Sequence, residues 1–161
     1  MRTTNIILIA VSLLAVLGLT QVTSAQESSV RVATGYEIST VAAGGYDVVA
    51  YYSQGKPVRG SGDYVATFGD ATYLFASKSN RDQFQKNPSQ YVPAYGGYCA
   101  YGVAVGKKLV GDPEIWKIVD EVLYLNLNKN IQNTWNEDIP GNIVKADDNW
   151  PRIRSKSPAE L

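Results

Sequence analysis

The order of apolar and polar residues divides the chain into an apolar run, a polar stretch and a long patterned region. Ile6 to Leu19 is Ile, Leu, Val and Ala, broken only by Ser12 and Gly18. Gln26 to Gly35 is polar and unpatterned. Apolar character returns over Glu37 to Tyr52, with Gly44-Gly45 as a turn and Val48 to Tyr52 as a short buried run. Gln54 to Gly62 carries three glycines and Pro57, the composition of a loop. Tyr64 to Phe68 alternates, Gly69-Asp70 turns, and Thr72 to Phe75 continues, which predicts a hairpin rich in β-branched and aromatic residues. Ser77 or Ser79 can cap a helix through Phe84, ended by Asn87-Pro88. The pattern then recurs. Trp116 to Val119 and Val122 to Leu127 predict a second hairpin around Asp120-Glu121, and Asn128 caps a second helix to about Asp138, with Pro140-Gly141 as its stop. Ile143 to Asp148 adds at most a helical turn before Trp150-Pro151, and the polar, charged residues 152–161 are expected to fray.

The two hairpin-and-helix stretches align. Tyr73 to Ser79, with Phe84 beyond, matches Tyr124 to Asn130, with Trp135 beyond, each pair 51 positions apart, and Asp70 and Glu121 keep that offset. The expected fold is therefore a small α+β domain of β-hairpins, each followed by a helix, with a possible duplicated ββα unit. Between the copies, Tyr91 to Gly106 holds four Tyr, four Gly and the only Cys. Glycines there permit left-handed or closely approaching backbone, and tyrosines supply flat faces with a polar tip.

Composition narrows the chemistry. There is no histidine, one cysteine, one methionine, and 15 basic against 15 acidic residues in 161. A Ser-His-Asp or Cys-His catalytic arrangement, a His-ligated haem, a four-cysteine zinc site and a CxxC redox pair are excluded. A zero net charge and a pI near 6.2 give no basic stripe for nucleic acid. The glycines at 96, 97, 102 and 106 fit no phosphate-loop spacing. Arg2 ahead of the apolar run, whose fourteen residues are short of a membrane span, and the small residues Thr23 and Ala25 after it have the layout of a secretory signal peptide. Cleavage near Ala25 would send the protein to the periplasm or outside the cell, with membrane contact only through export.

Several runs together resemble a known family. These are Gly45-Tyr46-Asp47-Val48-Val49-Ala50-Tyr51-Tyr52, then Gly55-Lys56-Pro57-Val58-Arg59-Gly60, Tyr73-Leu74-Phe75-Ala76-Ser77, Asn87-Pro88 with Tyr91, Gly96-Gly97-Tyr98-Cys99-Ala100 and Asp138-Ile139-Pro140-Gly141. They resemble the small exported branch of the YHS-domain family described as YHS domain-containing (seleno)proteins, over about Gly45 to Pro151. The organisation so implied is a signal peptide at 1–25, a leader at 26–44, a YHS-like domain at 45–151 and a tail at 152–161. The resemblance implies selenocysteine in some members at the position of Cys99, and hence redox chemistry there. It also places the wider family's presumed metal-ligating cysteines at Ala76 and Asn80. Without them the mature chain offers one thiol and no thioether, so no metal site is expected within one chain. A soft metal would have to be shared with a partner chain, and no cofactor is evident.

Cys99 is the candidate reactive group, since an unpaired thiol in an exported protein is unusual. The contrary reading is a small buried hydrophobe. Tyr46, Asp47, Tyr95, Tyr98 and Tyr101 are the candidate ligand-binding residues. The alternative for the tyrosines is that they replace Phe in the core, with 11 Tyr against 3 Phe. Asp47, in an apolar run, needs a partner if buried. The acid pairs Asp112/Glu114 and Asp120-Glu121 read as solvated turns. The expected function is an exported binding or redox-accessory module acting on a small ligand or a protein partner. The rivals are a thiol-dependent oxidoreductase or peroxidase with Cys99 as nucleophile, and a partner-binding protein with Cys99 purely structural. The lone thiol also allows a disulfide-linked homodimer.

Overall fold

Two antiparallel hairpins, each followed by a helix, form in the computed structural model, which describes residues 41–161. The signal peptide and the leader as far as residue 40 lie outside the described residues. The fold is α+β. β1 (Ser61–Phe68) pairs with β2 (Ala71–Phe75), and β3 (Asp112–Val119) pairs with β4 (Val122–Asn126). β1 and β3 each carry a bulge, between Ser61 and Val65 and between Asp112 and Trp116. Ser77 caps α2 (Lys78–Lys86) by accepting the Asn80 N–H, and Asn128 caps α5 (Lys129–Glu137) by accepting the Ile131 N–H. Then α3 (Pro88–Tyr91) and α6 (Ile139–Ile153) start from equivalent residues, Asn87 and Asp138, with the same backbone turn.

From β1 to the start of α3 every boundary recurs 51 residues later. The duplication reaches further upstream than the hairpins. A turn at Ala42–Gly45 precedes α1 (Ala50–Ser53), and a turn at Ala94–Gly97, 52 residues later, precedes α4 (Ala100–Ala104). The structured unit thus includes Ala42, earlier than the boundary at 45 expected from sequence, because this turn belongs to the repeated unit.

Each half builds its own core. Phe84 of α2 lies under the first hairpin, 4.7 Å from the ring of Tyr73 and 5.0 Å from Phe75, with Val48 and Val49 beside it. Trp135 of α5 takes the same place under the second, 5.5 Å from Tyr124. Between the halves, Tyr46 and Tyr51 pack on Leu123, Leu125 and Trp116, with the Tyr51 and Trp116 rings edge to face at 5.1 Å. The Tyr51 hydroxyl donates to the Pro113 carbonyl at 2.8 Å. α1 is therefore covered by the other half's hairpin. Its counterpart α4 is covered instead by α6 of its own half, where Asn149 donates to the carbonyls of Val103 and Ala104.

That cover comes from a helix the sequence pattern stops too early. Pro140-Gly141 does not end α5; it opens α6, which runs fifteen residues to Ile153. Proline suits the first helical turn, where its missing N–H has no partner to lose. The Asp138 side chain accepts the Gly141 N–H at 3.0 Å, and a Cβ at 141 would strike that carboxylate. In the first half Val92-Pro93 stops the shorter α3, since a residue before proline avoids helical backbone, and Val92 is extended.

The end of the chain is held, not frayed. Ile153 is buried, Leu161 packs on the second core, and Ser157 and Glu160 form a capping box. Lys108, almost fully buried, donates to the carbonyls of Arg154 at 3.0 Å and Lys156 at 2.6 Å. A cation there suits the negative end of α6, although burial lowers the Lys108 pKa from its ordinary value. Among the described residues no helix is long and apolar enough to cross a membrane. Lys108→Met should leave both cores folded while amide exchange over residues 154–161 quickens by about tenfold or more. Unchanged exchange there would show that Lys108 does not hold this segment.

Candidate functional site

The two turns ahead of α1 and α4 have the same unusual backbone. Ala43 and Gly44 are left-handed (φ 49° and 57°), as are Tyr95 and Gly96 (φ 54° and 64°). Left-handed backbone is costly for a residue with a Cβ, so Ala43 and Tyr95 are held by their surroundings. The chain then turns extended at Tyr46 and Tyr98, and places Asp47 and Cys99 at equivalent points. The Asp47 N–H donates to the Val58 carbonyl and the Cys99 N–H to the Leu109 carbonyl, each at 2.8 Å. Gly60 and Gly111 let these strands cross closely. A Cβ at either would come within 2.6 Å of Leu74 or Leu125.

Asp47 is fully buried and saturated. Its Oδ1 accepts the N–H groups of Val49 at 2.9 Å and Ala50 at 3.3 Å, and Oδ2 accepts Ala76 N–H at 2.8 Å and Asn80 Nδ2 at 2.7 Å. The two positions that the resemblance marks for cysteines, 76 and 80, thus meet at this carboxylate. Neutral donors from three segments converge on one charge, and this repays its burial.

Cys99 is equally buried but far less satisfied. Its Sγ accepts the Gly102 N–H at 3.3 Å, capping α4, and its thiol faces Asn126 Oδ1 at 3.7 Å. Asn126 Oδ1 also accepts the Tyr101 N–H at 3.4 Å, which fixes the oxygen on that side of the amide. The other end, Asn126 Nδ2, is buried without a hydrogen-bond partner. Asn126 stands where the first half has Phe75, and the replacement of an apolar strand residue by an amide is visible once the repeats are aligned.

The remaining sequence candidates are spread out. Tyr46 donates to Glu114 Oε1 at 2.7 Å beneath the Arg59 guanidinium, 4.1 Å from its ring. Tyr95 donates to Asp147 Oδ1 at 2.9 Å inside the second core. Tyr98 stacks near Trp150, with the Lys108 ammonium 4.7 Å over its ring. Tyr101 is half-buried against that core. Of the five ligand-binding candidates, Tyr98 alone lines a small cleft of about 40 Å³ between the two turns, with Gly44, Gly96, Gly97, Val110 and Gly111. Among the described residues, no three His, Cys, Asp or Glu side chains gather to hold a metal ion.

Burial raises the pKa values of Tyr51, Tyr73, Tyr95, Tyr98 and Tyr124, and for Tyr95 the Asp147 carboxylate pushes the same way. Tyr46 is raised chiefly by its bond to Glu114. Below the unfolded phenol's pKa of about 10, both states hold the proton. Above it the unfolded chain releases protons that the folded chain keeps, so stability falls as pH rises. Tyrosinate absorbance from the buried Tyr51, Tyr73, Tyr95 and Tyr124 should appear together with loss of circular dichroism, and full tyrosinate absorbance while the fold persists would refute this. Asp47→Ala should cost about 3 kcal/mol or more by orphaning four N–H groups, and Cys99→Ala distinctly less, as read by denaturant midpoints. Compared with known proteins, the chain matches no family model, no curated relative and no solved structure.

Proposed function

We propose that this chain is an exported, non-catalytic binding module of YHS type, in which Cys99 is a structural cap with no turnover chemistry. The observation that carries the reading is the equivalence of Cys99 with Asp47. Both are fully buried, both accept the N–H three residues on at the start of a short helix, and both donate their own N–H to equivalent segments, at Val58 and at Leu109. Asp47 spends both of its oxygens on the fold, and Cys99 occupies the matching structural post. A peroxidase or reductase nucleophile must meet its substrate and then a resolving thiol, which needs an accessible sulfur. Burial weighs against that chemistry, and equally against a disulfide-linked homodimer.

The surface we assign to a small ligand or protein partner is the segment 105–111 beside α4. Val105, Leu109 and Val110 are exposed, and Val110 borders the cleft beside Tyr98. Apolar side chains in solvent beside a concave seam are the usual composition of a recognition surface.

Alkylation separates the readings. Iodoacetamide should label Cys99 at least about a hundredfold more slowly in the native mature protein than in denaturant, at a rate set by opening of the fold. Native labelling as fast as that of the unfolded chain would sink the structural-cap reading and restore the thiol enzyme.

A further inference from the structure

The repeat supplies an internal comparison for the segment beside α4. Residues 54–60 and 105–111 follow the same path. Gly55 and Gly106 are both left-handed (φ 63° and 75°), Val58 and Leu109 accept the equivalent N–H groups, and Arg59 and Val110 bridge to Tyr46 and Tyr98. At two solvent-exposed positions of this path the first half places Gln54 and Arg59. The second half places Val105 and Val110 there, 54% and 51% exposed, with Leu109 at 40% between them. Aliphatic side chains standing in water where the same backbone accepts polar ones mark a surface that meets something else.

Charge gathers on the same face. Residues 41–161 hold 13 basic and 13 acidic side chains, yet 105–110 and 152–161 carry five of the basic ones and, of the acids, Glu160 alone. Hydrogen bonds bring these two stretches together. Lys108 donates to the Arg154 and Lys156 carbonyls, and Lys107 Nζ donates to the Leu161 oxygen at 3.1 Å. Arg152 donates to Asn149, whose amide holds the end of α4 just before Val105. Lys107, Arg152, Arg154 and Lys156 are all exposed. The ion pairs among the described residues, Lys78–Asp82 and Arg81–Asp82, lie elsewhere, on α2. Three aliphatic side chains rimmed by four cations have as their complement a surface that is apolar at its centre and acidic around it.

We propose that this face docks an acidic segment of a protein partner, in which aliphatic side chains are set among Asp and Glu. Val105, Leu109 and Val110 take the aliphatic groups, and the four cations take the carboxylates. The cleft beside Val110 makes one end of the face concave, which suits a peptide better than a flat bilayer. The proposal rests on the reading of 105–111 as the recognition surface, and names the chemistry of the partner.

The probe is a fluorescein-labelled peptide of glutamates interrupted by leucines, titrated by anisotropy into the full mature protein. It should bind at least about tenfold more tightly than the same peptide with serine for leucine, and binding should weaken as salt rises. Val105→Gln with Val110→Gln removes the aliphatic centre at constant charge, and Arg154→Gln with Lys156→Gln removes two exposed cations. Each pair should lower the affinity at least about tenfold, with the melting temperature held within about 3 °C. The proposal is overturned if the glutamate–leucine peptide does not bind, or if either pair leaves its binding unchanged. It is overturned equally by two other occupants. Phosphatidylserine vesicles bound more tightly than the peptide through the same residues would make the occupant a membrane. Concentration-dependent self-association lost in the same variants would make it a second copy. Fast native alkylation of Cys99 would sink the binding-module reading whatever the peptide does, whereas slow alkylation without peptide binding sinks the acidic partner alone.

Discussion

One buried carboxylate ties the first half of this protein together. Asp47 receives N–H groups from the start of α1, from the residue after β2 and from α2, so three segments separated in sequence share one anion. A two-stranded hairpin is marginal alone and needs a helix and a neighbour to bury its inner face. The carboxylate supplies the geometry for that arrangement, fixing where α1 leaves the hairpin and where α2 begins. Its bonds lie out of water, where charge-assisted hydrogen bonds are strong and a missing partner is costly. With no disulfide possible in a chain holding one cysteine, polar bolts of this kind and the aromatic cores under each hairpin carry the fold.

The second half uses the same plan with different parts. Its post holds sulfur, its strand contributes an amide in place of Phe75, and its closing helix is longer. These changes go together in space. α4 cannot borrow the neighbouring hairpin as α1 does, so α6 extends to cover it, and Asn149 completes the carbonyls at the end of α4. Lys108 then closes the end of α6 from the opposite side.

Much of this was legible in the sequence. Both hairpins, both polar caps and the inward aromatics Phe84 and Trp135 follow from alternation and turn chemistry, and the constant spacing of 51 reveals the duplication. Its upstream part, Ala42-Ala43-Gly44-Gly45-Tyr46 against Ala94-Tyr95-Gly96-Gly97-Tyr98, agrees at four of five positions but escapes an alignment at 51, because it lies one residue out of register with the hairpins. Pro140-Gly141 misled because proline both ends and begins helices. The choice depends on the Asp138 side chain reaching the Gly141 N–H, which spacing alone does not decide. The polar tail reads as loose because its anchor, Lys108, is distant in sequence and usually a surface residue type. At the candidate site, Cys99 and Asp47 were visible as unusual residues, but their equivalence was not. It emerges when the two Gly-Gly-Tyr turns, 52 residues apart, adopt the same left-handed path.

Joining two similar units on one polypeptide also changes what their interface must achieve. Separate copies would meet through Tyr46, Tyr51, Leu123, Leu125 and their neighbours at whatever concentration the surroundings allowed. Tethered by the short segment between Tyr91 and Ala94, they meet at an effective concentration on the millimolar scale that dilution cannot lower. A seam of a few side chains is then enough, and it need not be symmetric. One post can hold a carboxylate while the other holds sulfur.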